Sequence, residues 1–230
     1  MILDVNIEEA GYEASDIKVR QLSFQVKPGE LVGLIGPNGA GKSTTIKTVM
    51  GVMRHVKGTV ALGDNKGFAY VPEQPVLYET MTLWEHLELA AAAFRLPREQ
   101  WEPRVQRLLE LFELRDQVHH YPTSFSKGMQ QKLMLILAFM LQPSLYIVDE
   151  PFIGLDPRAT RRLLAMMQEA REAGAGVLMS THVLDTAERI CDQFILIHQG
   201  GIVAQGTFAD IRQQAGLPQG SLMDCFEVLT

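Results

Sequence analysis

The sequence has little cysteine and no sustained basic stretch. Its two cysteines, Cys191 and Cys225, are isolated and lack metal-ligand spacing, which favours reduced thiols in a cytosolic protein over a disulfide framework. The net charge is −6, so electrostatics give no reason to expect nucleic-acid binding. With 47% hydrophobic and 21% charged residues, the 230-residue chain has the balance of a folded soluble protein rather than a disordered one.

The sequence also lacks the long apolar runs of leaders and membrane spans. Residues 1–16 contain no basic region followed by an apolar run, so they predict no signal peptide. No apolar run reaches the ~18 residues that a membrane span needs. The longest candidate, "LMLILAFMLQ", ends at Pro143. We therefore expect a soluble protein, or one held at a membrane through a partner.

Strand-like and helix-like segments alternate along the chain, which predicts an α/β fold with a mainly parallel central sheet. Residues 31–35 and the segment "LYIVD" before Glu150 are almost wholly apolar, as strands buried on both faces are. The segment "KSTTIKTVMGVM" is predicted to be a helix that reaches Met53. From about 78 to 141 the pattern is helical, and Thr82 with Glu85 predicts a capping box at its start.

A glycine-rich turn stands between a predicted strand and a predicted helix. Its sequence, Gly-Pro-Asn-Gly-Ala-Gly-Lys-Ser, fits G-x-x-x-x-G-K-[ST] in full. Glycines leave the backbone N–H groups unobstructed, and a helix N-terminus favours phosphate, so the turn predicts a nucleotide triphosphate site. Lys42 can reach the outer phosphates and Ser43 can ligate Mg²⁺. The predicted nucleotide-binding residues here are Gly36, Pro37, Asn38, Gly39, Ala40, Gly41, Lys42, Ser43 and Thr44.

Two carboxylates follow the apolar segment "LYIV". An acid at the end of a buried strand downstream of a phosphate loop suits a Mg²⁺ ligand, so we assign this role to Asp149 rather than that of a solvated strand-end acid. The adjacent Glu150 can polarise the attacking water as a general base. The Asn/Thr-Lys-x-Asp segment of a guanine reader is missing, which argues against a small GTPase.

Three further segments carry a resemblance to a known family. "FSKGMQQK" resembles the Leu-Ser-Gly-Gly-Gln signature loop of ABC-type ATPases: Ser126 and Gly128 match, whereas Lys127 and Met129 depart from it. "VDEPFIGLDP" resembles the Walker B and D-loop block, and "MSTH" resembles the switch-histidine strand. Over essentially its whole length, the chain resembles the nucleotide-binding subunit of an ABC transporter, in particular bacterial single-domain subunits such as the Ecs-type exporter group.

The resemblance implies roles for residues that spacing alone would not assign. Asp156 takes the place of the D-loop aspartate, and His182 that of the histidine that contacts the γ-phosphate. Glu150, His182 and Lys42 would then be the catalytic residues. Tyr12 would stack on adenine, the alternative being a surface tyrosine.

The Q-loop register is ambiguous within "YVPEQPVLY". Either Glu73 or Gln74 takes the glutamine position, and Glu73 is preferred, also as a metal contact. The segment between "ALGD" and "FAYVPE" is shorter than is usual for the family. In the family, the cleft beside the Q-loop receives a short helix of the membrane subunit, which here would involve Glu73 to Leu83. The alternative for this apolar stretch is an internal core segment.

The resemblance further implies the organisation and partners of the chain. It predicts a single ABC ATPase domain over 1–230, with a catalytic core at about 1–77 and 142–230 and an inserted helical subdomain at about 78–141. An N-terminal antiparallel β region belongs to this fold. The implied ligands are ATP and Mg²⁺. The implied partners are a transmembrane permease subunit and a second nucleotide-binding domain, with a homodimer expected and no nucleic acid.

Such a subunit would sit at the cytoplasmic face of the cell membrane and power transport, with export expected. The first rival is a soluble ABC-type ATPase that acts on ribosomes or DNA. Those proteins usually carry two cassettes or a coiled-coil insertion and basic surfaces, whereas this chain has one cassette and a charge of −6. The second rival is a plain P-loop kinase.

Overall fold

The computed structural model describes residues 1–63 and 67–230. An antiparallel sheet at the N-terminus consists of β1 (Leu3–Glu13), β2 (Asp16–Val26) and β4 (His55–Leu62), in the order β2-β1-β4. Along β1, buried and exposed residues alternate at its start, as in a sheet with one face on the core. The expected N-terminal antiparallel β region is therefore present.

The larger sheet forms the centre of the fold. Its strands are β3 (Leu31–Ile35), β5 (Phe68–Val71), β6 (Leu145–Asp149), β7 (Gly176–Thr181), β8 (Gln193–His198) and β9 (Gly201–Gly206). They run in the order β5-β6-β7-β3-β8-β9, and every pairing is parallel except the hairpin of β8 with β9. This arrangement confirms the predicted α/β fold. Since β6, β7 and β3 are neighbours, the loops after their carboxyl ends meet at one edge of the sheet.

Helices pack against the sheet. They are α1 (Lys42–Val49), α2 (Leu83–Ala93), α3 (Arg98–Phe112), α4 (Lys127–Leu141), α5 (Pro157–Glu172), α6 (Leu184–Ile190), α7 (Phe208–Ala215) and α8 (Leu222–Leu229). Of these, α2, α3 and α4 contact one another and form the helical block. The capping box predicted at Thr82 is present: its side chain accepts from the backbone N–H of Glu85, and the carboxylate of Glu85 accepts from that of Thr82. Helices α2 to α4 share one apolar cluster with α5 and one face of the central sheet.

Two helix predictions need correction. The helix after the glycine turn ends at Val49 and does not reach Met53, because Gly51 adopts a φ of 73° and closes the last turn with a hydrogen bond from its N–H to the carbonyl of Thr48. Helices α7 and α8 were not predicted, although each begins with a capping box. Of the short segment between "ALGD" and "FAYVPE", residues 65 and 66 lie outside the described ranges.

Within residues 1–63 and 67–230, no helix is both long enough and apolar enough to cross a membrane.

Candidate nucleotide-binding site

The glycine turn joins β3 to α1 in a conformation that only glycine tolerates at two positions. Gly41 precedes the helix with a φ of 109°, and a Cβ there would lie 2.7 Å from a methyl carbon of Val19. At Gly36, a Cβ would lie 2.3 Å from the carbonyl oxygen of Ile197. The turn can therefore keep its backbone N–H groups free of side chains, as a phosphate cradle requires.

Lys42 opens α1 and folds its side chain back over the turn. Its Nζ donates to the carbonyl oxygens of Gly36, at 2.7 Å, and Pro37, at 3.3 Å. The same ammonium lies 3.6 Å from Oε1 of Glu150, and both side chains are almost fully buried. A buried ammonium needs such oxygen partners because burial without them is costly. This positive charge is thus held inside the turn.

The two predicted carboxylates lie at the end of β6, and a serine of the neighbouring strand holds both. Asp149 and Glu150 are 4% and 5% exposed. The hydroxyl of Ser180 on β7 donates to Oδ1 of Asp149 and accepts from the backbone N–H of Glu150 at 3.2 Å. Glu150 itself has a φ of 47°, a conformation uncommon for a residue with a side chain. This hydroxyl thus connects the two carboxylate positions.

Tyr70 on β5 approaches the same carboxylate from the other side. Its hydroxyl lies 3.5 Å from Oδ2 of Asp149, at the limit of a hydrogen bond. Burial, and then the negative charge of Asp149, raise the pKa of Tyr70. The phenol therefore stays protonated at neutral pH and remains a donor toward Asp149.

His182 follows β7 and reaches across to the second carboxylate. Its Nδ1 lies 2.8 Å from Oε1 of Glu150, while about half of the imidazole is exposed. In the described part of the chain, this buried Oε1 has no partner with hydrogen-bond geometry. A buried carboxylate oxygen that contacts an imidazole and an ammonium without hydrogen-bond geometry can still accept a proton or a hydrogen bond from a bound molecule.

Lys42, Asp149, Glu150 and His182 line one cleft of about 390 Å³. Most of the residues predicted for the nucleotide line it, namely Tyr12, Pro37, Asn38, Gly39, Gly41, Lys42, Ser43, Thr44, Glu73, Asp149, Glu150 and His182. Gly36 and Ala40 belong to the turn beneath it. The structure describes both Q-loop candidates. Glu73 lines the cleft, whereas Gln74 does not. At the rim, the Lys47 ammonium lies 5.4 Å from the centroid of the exposed Tyr12 ring.

Ser126, Gly128 and Asp156 lie in a second group, outside the lining of that cleft among the described residues. Ser126 caps α4 and accepts from the backbone N–H of Met129 at 3.3 Å. Asp156 caps α5 and accepts from two backbone N–H groups there, and these bonds, chiefly that from Ala159, lower its pKa. The chain thus carries two helix starts next to each other, away from its own cleft.

The cleft includes residues that the sequence reasoning missed. Lys18 and Ile153 line it, and Ser180 and Tyr70 support Asp149 from behind. Lys18 carries no motif that would identify it. Ser180 could have been identified from the sequence. It is a polar residue in the wholly buried strand β7, and a buried hydroxyl needs a hydrogen-bond partner.

The residues of the cleft fit a nucleotide triphosphate and a small hard cation. The turn offers free N–H groups and Lys42 offers a positive charge, which suits phosphates. In residues 1–63 and 67–230 no three His, Cys, Asp or Glu side chains cluster as a metal site. Mg²⁺ is usually bound by one or two protein oxygens together with substrate phosphates and water, so the Ser43 hydroxyl with the Asp149 carboxylate is a suitable set.

The chain is similar to proteins of one family. Residues 19–153 match the family described as "ABC transporter". Over 225 residues the chain is 49% identical to the uncharacterised ABC transporter ATP-binding protein YthP of Bacillus subtilis (strain 168), covering 98% of this chain and 95% of that one. It is 46% identical over 239 residues to the ABC-type transporter ATP-binding protein EcsA of the same organism, covering 100% of this chain and 96% of that one.

Solved structures give the same similarity. One described as the ATP-binding subunit of an ABC transporter superposes with a TM-score of 0.95 at 45% identity, covering 100% of this chain and 99% of that one. The cbiO1 protein of Clostridium perfringens, described as part of the ABC transporter complex cbiONQ, gives a TM-score of 0.76 at 20% identity, covering 92% and 90%. At that identity the second match supports the fold alone.

Proposed function

Because the chain belongs to the ABC transporter family of ATP-binding proteins, we propose that it is the ATP-binding and ATP-hydrolysing subunit of an ABC transporter. The observation that carries the proposal is the single cleft in which Lys42, Asp149, Glu150 and His182 converge from three neighbouring strands. A phosphate cradle, a metal ligand and a base in one cleft are the groups that hydrolysis of a triphosphate requires.

ATP binding begins at the glycine turn. The phosphates lie against the backbone N–H groups ahead of α1, where the helix dipole favours negative charge. Lys42 then exchanges its contacts with the carbonyls of Gly36 and Pro37 for phosphate oxygens. The exposed ring of Tyr12 at the rim stacks on the adenine base.

Ser43 and Asp149 would hold Mg²⁺, with Glu73 facing the same cleft. When bound, the ion supplies positive charge that stabilises the phosphate oxygens in the transition state. Ser180 keeps the carboxylate of Asp149 in place by donating to its Oδ1, so that Oδ2 remains turned toward Tyr70.

Glu150 acts on the attacking water. Its Oε1, which makes no hydrogen bond to the described residues, can accept the proton of a water placed between it and the terminal phosphate, which is the role of a general base. His182 and Lys42 lie on either side of this oxygen and restrict its orientation. His182 is half exposed at the mouth of the cleft, where it can contact the γ-phosphate.

The second group of residues belongs to a dimer mechanism. Ser126 and Gly128 begin α4, and Asp156 begins α5, but all three lie outside the cleft of their own subunit. The N-terminus of α4 can instead cap the exposed phosphate of ATP held by a second copy of the chain. ATP favours the closed pair because it binds that state better, and hydrolysis releases it.

The pair would drive a separate membrane subunit. The curated relatives are described as ABC transporter ATP-binding proteins. We place this chain at the cytoplasmic face of the membrane, with Glu73 to Leu83 facing the membrane subunit and export as the direction. In this mechanism the catalytic core, at about 1–77 and 142–230, and the helical subdomain, at about 78–141, move relative to each other.

The mass of the Glu150→Gln protein in solution, with and without Mg-ATP, tests the dimer mechanism. We expect a monomer that becomes a dimer only with ATP, because the variant binds ATP but lacks the carboxylate base. A second change, Ser126→Arg, should abolish the dimer, whereas Gln213→Arg, at an exposed position of α7, should not. A protein that binds ATP and remains monomeric would contradict the dimer mechanism.

Coupling to the membrane subunit needs its own test. Tyr78 is 61% exposed in the segment assigned to the membrane subunit, and Tyr121 is 50% exposed at another place in the helical block. Tyr78→Asp should abolish transport by the reconstituted complex and leave the basal ATPase rate of the isolated subunit within about twofold, since among the described residues Tyr78 lies outside the lining of the nucleotide cleft. Tyr121→Asp should leave both unchanged. Full transport by the Tyr78→Asp complex would exclude this surface.

A further inference from the structure

The segment between β5 and α2 is held to the rest of the fold by very few polar contacts. The segment consists of residues 72–78, and residues 79–82 form the turn that leads into α2. Among the described residues, 1–63 and 67–230, residues 72–78 make one hydrogen bond to a residue beyond this turn. The acceptor of that bond is His86 of α2. In the closing turn, the N–H of Met81 donates to the carbonyl of Tyr78. Leu77 adds apolar packing against the helical block. His86 therefore supplies the hydrogen bond that holds the backbone of Tyr78 to α2, beside the apolar contact of Leu77.

His86 uses both ring nitrogens for backbone groups. Its Nε2 lies 2.9 Å from the backbone nitrogen of Tyr78, and its Nδ1 lies 2.7 Å from the carbonyl oxygen of Thr82. The Tyr78 N–H can only donate and the Thr82 carbonyl can only accept. The imidazole must therefore be neutral, with its proton on Nδ1. The side chain is only 5% exposed, so water does not readily replace either bond.

The segment joins the two surfaces that the proposed function uses. Near one end, Glu73 lines the nucleotide cleft. Near the other, Val76 and Tyr78 are 77% and 61% exposed, although both are large and apolar. A segment that spans a catalytic cleft and an exposed apolar surface can transmit movement between them only if its backbone is fixed at some point.

We propose that His86 is the positioning residue that fixes this segment, so that movement at Glu73 is transmitted to the surface around Val76 and Tyr78. The proposal rests on the proposed function, because it assigns that surface to the membrane subunit. His86 itself lies outside the cleft lining among the described residues. It contacts Tyr78 through the backbone N–H and through the phenol ring, whose centroid lies 5.9 Å from that of the imidazole.

Two substitutions separate the contacts of the imidazole. Gln at position 86 is long enough for its side-chain oxygen to reach the Tyr78 N–H, whereas Asn is shorter and can replace only the bond to the Thr82 carbonyl. Both are neutral and polar, so they form a matched pair. His86→Asn should speed hydrogen exchange of the Tyr78 amide about tenfold in the isolated subunit, the factor that corresponds to loss of a hydrogen bond, and His86→Gln should restore most of the protection.

The same variants also test the coupling between ATP hydrolysis and the membrane subunit. The basal ATPase rate of the isolated subunit should stay within about twofold of wild type, because His86 does not contact the cleft. In the reconstituted transporter complex, His86→Asn should lose most of the stimulation of ATPase by the membrane subunit, and His86→Gln should retain it. Unchanged stimulation in His86→Asn would overturn the proposal, while ATP-dependent dimerisation of Glu150→Gln would leave the proposed function standing.

A measurement on the unmodified protein covers the case in which His86→Asn does not fold. Nitrogen NMR of the imidazole should show a protonated Nδ1 and an unprotonated Nε2 that accepts from the Tyr78 amide. A proton on Nε2, or a Tyr78 amide that exchanges as fast as those of unprotected loops, would contradict the assignment.

Discussion

Nζ of Lys132 on α4 lies 3.3 Å from Oδ2 of Asp156, the residue that caps α5. At the start of the same helix, a Cβ on Gly128 would lie 3.1 Å from the carbonyl oxygen of Gly154. The beginning of α4 and the loop before α5 are therefore in contact within one subunit. A shift of one must move the other, which matters because both belong to the surface proposed to face the second subunit.

Lys132→Met should lower the ATP-dependent dimerisation of the Glu150→Gln protein and the ATPase rate of the otherwise wild-type protein. Asp156 is exposed, so the ion pair should add little to folding stability, and the melting temperature should change little. Lys132→Arg keeps the positive charge and should behave as wild type. Equal dimerisation of the Met and Arg variants would show that the contact has no role in assembly.

Ser180→Ala should lower the ATPase rate by roughly tenfold to a hundredfold, as is typical when a residue that orients a metal ligand is removed. The loss of its bonds to Asp149 and to the N–H of Glu150 should also lower the free energy of unfolding by about 1–3 kcal/mol. Thr48→Val removes another buried hydroxyl, which bonds the carbonyl of Thr44, and should affect stability without a comparable loss of rate. Similar losses of rate in both variants would contradict the role of Ser180.

Acid should destabilise the C-terminal helices through their capping boxes. Asp210 accepts hydrogen bonds from Thr207, and Asp224 from Ser221, and these bonds lower the pKa of each carboxyl below 3.8. A carboxyl whose pKa is lower in the folded state than in the unfolded state stabilises the folded protein. This stabilisation is complete at pH values above the pKa of the unfolded state, and it is lost as the pH falls through the pKa of the folded state. Between pH 6 and pH 3, wild type should therefore lose more unfolding free energy than Asp210→Asn/Asp224→Asn.

Chemical unfolding at each pH measures this difference. Glu227→Gln is the control, because this exposed acid of α8 makes no hydrogen bond or ion pair through its side chain in the described ranges. It should follow the wild-type curve. Parallel curves for wild type and the double variant would contradict the contribution of the caps.

Both cysteines should react slowly with thiol reagents in the folded protein. Burial raises the pKa of Cys191, and burial also raises that of Cys225. The thiolate is the reactive form, so its population near pH 7.5 should be small. Titration with an aromatic disulfide reagent should give little reaction until denaturant is added, and then reaction of both thiols. Rapid labelling of either one in the native protein would contradict this expectation.

The sequence predicted many of the strands and helix starts because these elements depend on residues that are close together in the chain. The apolar segment before Glu150 indicated a buried strand, and Thr82 with Glu85 indicated the helix start that the structure has. The predicted helix after the glycine turn is too long because apolar residues continue the helical spacing beyond Gly51, whose left-handed conformation ends the helix.

For the candidate site, the residue types in the glycine turn and at the end of β6 were sufficient to predict phosphate binding. The residue types did not decide whether Glu73 or Gln74 faces the nucleotide. Both lie in an irregular segment, where no helical or strand periodicity predicts which way a side chain points. Glu73 lines the cleft in the structure. Ser180 was overlooked because its partners lie on β6, far away in sequence.

The sequence by itself therefore determined the chemistry that is present: a phosphate-binding turn, a carboxylate pair after a buried strand, a histidine after the next one, and two helix starts with capping residues. Only the tertiary structure decided which of these meet. The order of β6, β7 and β3 brings Lys42, Glu150 and His182 together at one edge, and keeps Ser126 and Asp156 out of that cleft. It also places His86 under the backbone of Tyr78. The physical reason is that such contacts depend on how distant segments pack, which local conformational preferences do not encode.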